Sequence, residues 1–221
     1  MVKVFTVGKD LDRGKAFALH NACFGDEREW FDAFLAAADG ESYLAYENYI
    51  GGMFLLDVTL GEHRGKYVYA LGVHKSFRGR GIAKELLEKA KELSADFTLI
   101  CAADEKLPAA YEKCGFDRYV GGMVLAGGSA ADIDTVGFDT PCGYNEAVKQ
   151  KAFFLSQRLF EFSLAECSAA LYTDGKSVVA KAKDGVYAAY GSAPIVKKKA
   201  QIYLKKDIDT LGALADLILE I

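Results

Sequence analysis

Arg78-Gly79-Arg80-Gly81-Ile82-Ala83 lies between an apolar run, Tyr67-Val68-Tyr69-Ala70-Leu71-Gly72-Val73, and a charged amphipathic run from Lys84 to Leu93. A strand, a glycine-rich turn and a helix in that order can hold an anion. Glycines let the backbone come close to a ligand. The first N–H groups of a helix have no intrahelical partner, so they direct partial positive charge at whatever sits before them. The ligand this suits is a diphosphate.

Spacing decides between kinds of diphosphate site. A dinucleotide fold calls for a third glycine near position 84 and an acidic residue about 20 positions further on, and Lys84 stands there instead. A Walker loop needs Gly-Lys-Ser/Thr after its second glycine, and that is missing too. Arg78, Gly81 and Ala83 do fill the pattern Arg/Gln-x-x-Gly-x-Gly/Ala. Downstream come a second apolar run, Phe97-Thr98-Leu99-Ile100-Cys101-Ala102, a polar stretch at Asp104-Glu105-Lys106, and Pro108 opening Ala109-Ala110-Tyr111-Glu112-Lys113-Cys114-Gly115-Phe116. Proline suits a first helical turn and glycine a left-handed helix end. Cradle, helix, strand and a Tyr-x-x-x-Gly-Phe helix, in this order, resemble the GNAT superfamily of acetyl-CoA-dependent N-acetyltransferases over about residues 1–126.

The resemblance implies a co-substrate and roles. Acetyl-CoA is the expected co-substrate, its pantetheine pairing with backbone at Leu71 and Val73. Its diphosphate would meet N–H groups from Gly79 to Lys84, with Arg78, Gly79, Arg80, Gly81, Ile82, Ala83 and Lys84 as the binding turn. Arg80 and Lys84 would add charge, while Ile82 and Ala83 pack. Tyr111 is the expected general acid: a phenol near pKa 10 protonating a thiolate of pKa about 8.5 works uphill by about 2 kcal/mol, within reach of a positioned donor. The family's glutamate on the fifth strand is Leu99 here, and its asparagine seven residues before the tyrosine is Asp104. The general base is therefore open. Asp57, Glu62, His63 and the carboxylate of Ile221 are the alternatives, each also readable as an ordinary solvated group. The acyl acceptor expected is a small-molecule or peptide amine, by direct attack, although Cys101 near the expected thioester leaves a covalent relay open. A non-catalytic acyl-CoA sensor, or an enzyme moving another acyl group, fits the same cradle.

The elements that must position these groups follow from the pattern. Val2 to Val7 reads as a strand, and Asp10 to Cys23 as a helix with Leu11, Phe17, Ala18 and His20 inward. A second helix carries Trp30, Phe31, Phe34 and Leu35 at helical spacing, and Ser42 to Tyr46 with Ile50 to Thr59 make a hairpin. A strand is expected from Asp117 to Leu125. The fold class is α/β, a GNAT-like, mainly antiparallel sheet flanked by helices, with a small C-terminal α+β domain. The boundaries are 1–126 for the acetyl-CoA domain, 127–143 for a glycine-rich linker and 144–221 for the C-terminal domain. In that domain Asn145 to Phe162 reads as a helix with Phe153, Phe154 and Phe160 in a stripe. Asp174-Gly175 and Asp184-Gly185 signal a meander, Gln201 to Leu204 another strand, and Thr210 to Ile221 a closing helix. Its Asp207-Ile208-Asp209-Thr210-Leu211-Gly212 is similar to the sterol-carrier-like module of enhanced-intracellular-survival acetyltransferases; a packing or dimerisation role is the plainer reading.

Bulk properties bound the rest. The 221 residues are 51% hydrophobic, enough for real cores, and the net charge of −4 comes with no basic stripe interleaved with aromatics, so nucleic acid is not an expected partner. The five cysteines are scattered without metal or disulfide spacing and the three histidines are dispersed, which points to reduced thiols, no metal site and a cytoplasmic setting. No stretch approaches the roughly 18 apolar residues needed to span a bilayer, and nothing near Met1 looks like a leader. A homodimer is an open expectation.

Overall fold

The computed structural model describes residues 1–123, 137–149, 152–166, 168–183, 185–190, 198–208 and 214–216. They form a mixed α/β structure with a mainly antiparallel sheet flanked by helices, divided into two compact units. The first comprises Met1–Asp57, Arg64–Asp117 and Ile202–Asp207; the second Val58–His63, Arg118–Gln201 and Ile208–Ile221.

In the first unit, β1 (Val2–Thr6) and β2 (Ser42–Tyr46) pair antiparallel, as do β2 and β3 (Gly51–Leu60). The turn at Gly61 then leads into β4 (His63–Val73), which pairs in parallel with β5 (Phe97–Cys101). All five β5 residues are buried, as a strand covered on both faces requires. Between β1 and β2 stand α1 (Arg13–Phe24) and α2 (Arg28–Ala37). Asp12 caps α1 by accepting from the Lys15 N–H at 3.1 Å, and Gly25 ends it with φ 85°. The buried residues of α1 are Ala16, Leu19 and His20. Ala18, expected inward, is exposed, because apolar residues are spread around this helix and mark no single face. α2 buries Phe31, Phe34 and Leu35 as its spacing predicts. α3 (Ile82–Leu93) buries Ile82, Leu86, Leu87 and Ala90, and α4 (Pro108–Glu112) buries Tyr111.

In the second unit, β6 (Arg118–Met123) stands where a strand was expected, with Leu125 outside the described residues. Here β7 is Thr140–Pro141. The single helix expected over Asn145–Phe162 is instead α5 (Tyr144–Ala147), β8 (Ala152–Leu155) and α6 (Gln157–Glu166). An aromatic run fits a pleated surface better than a helix, and β8 pairs with the end of β3 at Val58↔Leu155 and Thr59↔Phe154. Phe154 and Phe160 still meet, at 6.1 Å between centroids, but from a strand and a helix. The meander is present as β9 (Ala170–Thr173), β10 (Val178–Ala182) and β11 (Gly185–Tyr190). Asp174 builds its first turn by accepting from the Lys176 and Ser177 N–H groups; Asp184 lies outside the described residues. β12 (Lys198–Leu204) covers the strand expected at Gln201–Leu204. Leu214–Asp216, expected in a closing helix, is strand β13, parallel to both β6 and β8. Leu211, Leu217, Ile218 and Asp209–Gly212 lie outside the described residues. Among the described residues no helix is long and apolar enough to cross a membrane.

Candidate active site

The cradle forms as a left-handed step into a helix. Gly79 and Gly81 have φ of 77° and 80°, and Gly81 is the residue before α3. A side chain built on either glycine would meet nothing within 4 Å. The glycines thus serve conformation and leave clear space in front of the turn. Arg78, Gly79, Arg80, Gly81 and Lys84 are exposed, Ala83 is half-buried, and Ile82 is buried in the core beneath. The N–H groups at the start of α3 precede the first helical bond, from Glu85 N–H to Gly81 carbonyl at 3.1 Å, so they face this open side. The Arg80 guanidinium lies over the Phe77 ring at 5.2 Å, which holds it beside the turn. This arrangement suits a diphosphate: oriented N–H donors, two flanking cations and no side chain in the way.

β4 supplies the second part. Its parallel ladder with β5 runs from Gly65↔Phe97 to Val68↔Ile100, and β5 ends at Cys101 while β4 continues to Val73. Between the two ranges Ala70 has φ 52°, a left-handed conformation that a residue with a Cβ rarely takes, so β4 is locally wrenched where its partner stops. The His74 N–H donates to the Ile50 carbonyl on the β3 side at 2.9 Å. Alternation along a strand then turns the polar groups of Val73 and Leu71 to the opposite edge, past the end of β5. One of those groups is taken: Arg78 Nε–H donates to the Val73 carbonyl at 3.0 Å. Arg78 is therefore a brace between strand and turn, and Leu71 keeps the freer edge.

Tyr111 is 8% exposed and belongs to a core cluster with Val68, Leu87, Ile100 and Phe116, against which Leu71, Val73 and Leu107 pack. The cradle's Ile82 is in the same cluster, so the structure brings the anchor of the turn, the outer edge of β4 and Tyr111 to one core. After Tyr111 the helix closes as expected, with Gly115 at φ 88° and the Phe116 N–H donating to the Tyr111 carbonyl at 3.1 Å.

The base alternatives are not gathered there. Asp57 is tied to Lys66 Nζ at 2.7 Å and is well exposed; Glu62 is exposed in the turn before β4 and His63 is exposed at the first position of β4; Ile221 lies outside the described residues. Leu99 is buried. Asp104 accepts from the Lys106 and Leu107 N–H groups at 2.7 and 3.1 Å, so its carboxylate shapes the entry to α4. Cys101 is buried at the end of β5, and Cys23, Cys101, Cys114 and Cys142 are all free thiols.

Two features escaped the sequence reading. The left-handed conformation of Ala70 carries no residue signal at all. Gly72 did carry one, since a glycine inside a strand marks a close approach: its Cβ would sit 2.9 Å from Cys23 Sγ and 3.3 Å from the Phe24 ring, so α1 ends directly on β4.

Comparison with known proteins agrees with this geometry. The model of the acetyltransferase (GNAT) family matches residues 11–116. A GCN5-related N-acetyltransferase from Kribbella flavida superposes with a TM-score of 0.53 at 12% identity, covering 92% of this chain and 72% of that one. Eis1 from Mycobacterium abscessus gives 0.51 at 12% identity, covering 92% of this chain and 73% of that one. At such identities the likeness is one of fold. A search of curated sequences finds no match.

Proposed function

With residues 11–116 belonging to the acetyltransferase (GNAT) family, whose chemistry is acyl transfer from an acyl-CoA, we propose that this protein moves acetyl from acetyl-CoA to a primary amine by direct attack. The observation that carries the reading is the open glycine turn before α3 beside the stretch of β4 that outruns β5. In this reading Gly79 to Lys84 bind the diphosphate and the Leu71 backbone pairs with pantetheine. The wrenched strand at Ala70–Leu71 gives the thioester room at the β4 edge. The amine nitrogen forms a bond to the thioester carbonyl carbon, the C–S bond breaks, and Tyr111 gives its proton to the departing thiolate. The amine's own proton leaves to solvent or to a carboxylate on the acceptor side. The protein is read as cytoplasmic, its free thiols reduced.

Titration of acetyl-CoA into the protein, followed by release of free CoA against amino acids, polyamines, arylamines and peptides, tests the reading. Binding without turnover on any amine would leave the second reading, a non-catalytic acyl-CoA sensor. The buried Leu99, at the strand position where a base could stand, is the observation that favours it.

A further inference from the structure

The corner between α1 and α2 holds one carboxylate in a wall of rings. His20 is 5% exposed, and its Nε2 is 2.6 Å from Asp26 Oδ2, while the Asp26 side chain is 39% exposed. An ionised carboxylate only accepts, so Nε2–H is the donor and the imidazole tautomer is set by this bond. Burial pushes the His20 imidazolium down despite its carboxylate partner. With its cationic form disfavoured, the ring offers an N–H that orients the Asp26 carboxylate without adding a compensating charge. Asp26 Oδ1 has no hydrogen-bond partner among the described residues. The nearest cation along the chain, Arg28, is spent elsewhere: its Nε–H donates to Asp32 at 2.8 Å and its guanidinium lies over Phe17 at 5.0 Å.

The rings make a continuous run. His20 meets Phe24 at 4.9 Å and Trp30 at 5.9 Å, nearly parallel to the latter; Trp30 stacks on Phe34 at 5.5 Å and 4°; Phe34 meets Tyr69 at 5.1 Å. One end of the run, Phe24, touches β4 at Gly72, and the other end is Tyr69 itself, so the wall brackets Ala70–Leu71. Its outer members are open: Phe24 is 46% exposed, and Trp30 and Tyr69 are half-buried. Core rings need no carboxylate and no exposed edge; a seat for an organic cation needs both, because ring faces and a carboxylate attract the same ligand.

We propose that this corner is the acceptor seat, and that the acceptor is a primary ammonium carried on a flat aromatic body, its charge on Asp26 and its body along Phe24, Trp30 and Tyr69. His20 is a positioning residue that aims Asp26 and leaves its charge uncompensated. The inference rests on the acyltransferase reading for its use of the site but not for its test. The test is equilibrium calorimetry of 2-phenylethylamine, with putrescine and ethylamine as comparisons, on the full chain with CoA present. 2-Phenylethylamine should bind at least tenfold tighter than either comparison. The isosteric Asp26→Asn should lose about tenfold to a hundredfold, the worth of a charged hydrogen bond, and Trp30→Leu should lose part of the preference for the aryl body while leaving CoA binding unchanged. Equal binding of the three amines, no binding, or an Asp26→Asn variant that binds as well as the parent would overturn the proposal. Failure of the acyltransferase reading would show separately, as absent CoA release from a protein that still binds the amine.

Discussion

A methyl group added at Gly81 would meet nothing, whereas one added at Gly72, nine positions earlier on the same strand-turn-helix, would press into Cys23 at 2.9 Å. Both are glycines beside the candidate site, and they are glycines for opposite reasons. At the turn the backbone takes a left-handed step and leaves the space before it empty. At the corner the space is already filled by α1, and glycine allows two parts of the protein to touch. The difference teaches that a glycine needed for its own backbone conformation is written locally, while a glycine needed for close approach depends on an element far away in sequence.

Substitutions at the two places should therefore separate affinity from stability. Gly81→Val is expected to abolish measurable acetyl-CoA binding, because the branched side chain occupies the open face. Melting should fall only modestly, by the roughly 1–2 kcal/mol cost of a left-handed β-branched residue. Arg80→Ala should lose only about 1–2 kcal/mol of affinity, as one charge-assisted contact does. Calorimetry that shows the parent affinity in a folded Gly81→Val protein would end the cradle reading.

Tyr111→Phe comes next in size. It keeps the ring in its cluster and should leave acetyl-CoA affinity nearly intact while lowering kcat by roughly 10²–10⁴-fold, the usual contribution of a positioned general acid. Turnover by the Phe variant equal to the parent across the pH range would return Tyr111 to a purely packing role.

Gly72→Ala should behave in the reverse sense to Gly81→Val. Overpacking against Cys23 and Phe24 is expected to cost about 1–3 kcal/mol of stability. A compensating Cys23→Ala should recover much of it, since the two added and removed atoms share one space. Denaturant melts of the single and double variants decide; a Gly72→Ala protein as stable as the parent would mean that α1 gives way at no cost.

The smallest effect is a pH dependence at the corner. His20 is depressed from its ordinary value of 6.5 by burial, so the unfolded chain takes up its proton first as pH falls. The sign follows: the stability tied to neutral His20 is full above about pH 6.5 and declines as pH drops below it toward the folded value. The charged group in contact with the ring is Asp26, its other neighbours are the rings of Phe24, Trp30, Phe31 and Phe54, and of this set histidine is the type that ordinarily titrates in this range. Melting of the parent at pH 7.5 and 5.5, beside His20→Gln, should show a steeper acid loss in the parent; parallel slopes would remove His20 as the cause.

The turn was legible because its residues are contiguous and each restricts the backbone: two glycines, a helix start and Pro108 with Gly115 downstream. Strand and helix order in the first unit followed from the same local signals. The errors fell where a local pattern met a nonlocal partner. The run Ala152–Leu155 became a strand because β3 offers it an edge, and Leu214–Asp216 became one between β6 and β8. No spacing rule joins His20 to Asp26, since the bond depends on how the chain reverses at Gly25. Nor does any residue type announce Ala70, whose side chain gives it no preference for its left-handed φ.

The return of Ile202–Asp207 to the first unit bears on how the protein is made. That segment lies along β5, with the Lys205 N–H on the Asp96 carbonyl at 2.8 Å and Lys205 Nζ on the Ser94 carbonyl across 111 residues of chain. During synthesis at about 5–20 residues per second, the first unit therefore waits on the order of ten seconds between making β5 and making the strand that covers it. Through that interval β5, all of whose residues are buried in the finished fold, presents an open edge, the kind that pairs with a neighbouring chain if nothing shields it. The first unit, whose glycine turn is built from neighbours in sequence, is thus completed by a segment made about a hundred residues after the strand it covers, and its closure is a late, nonlocal event.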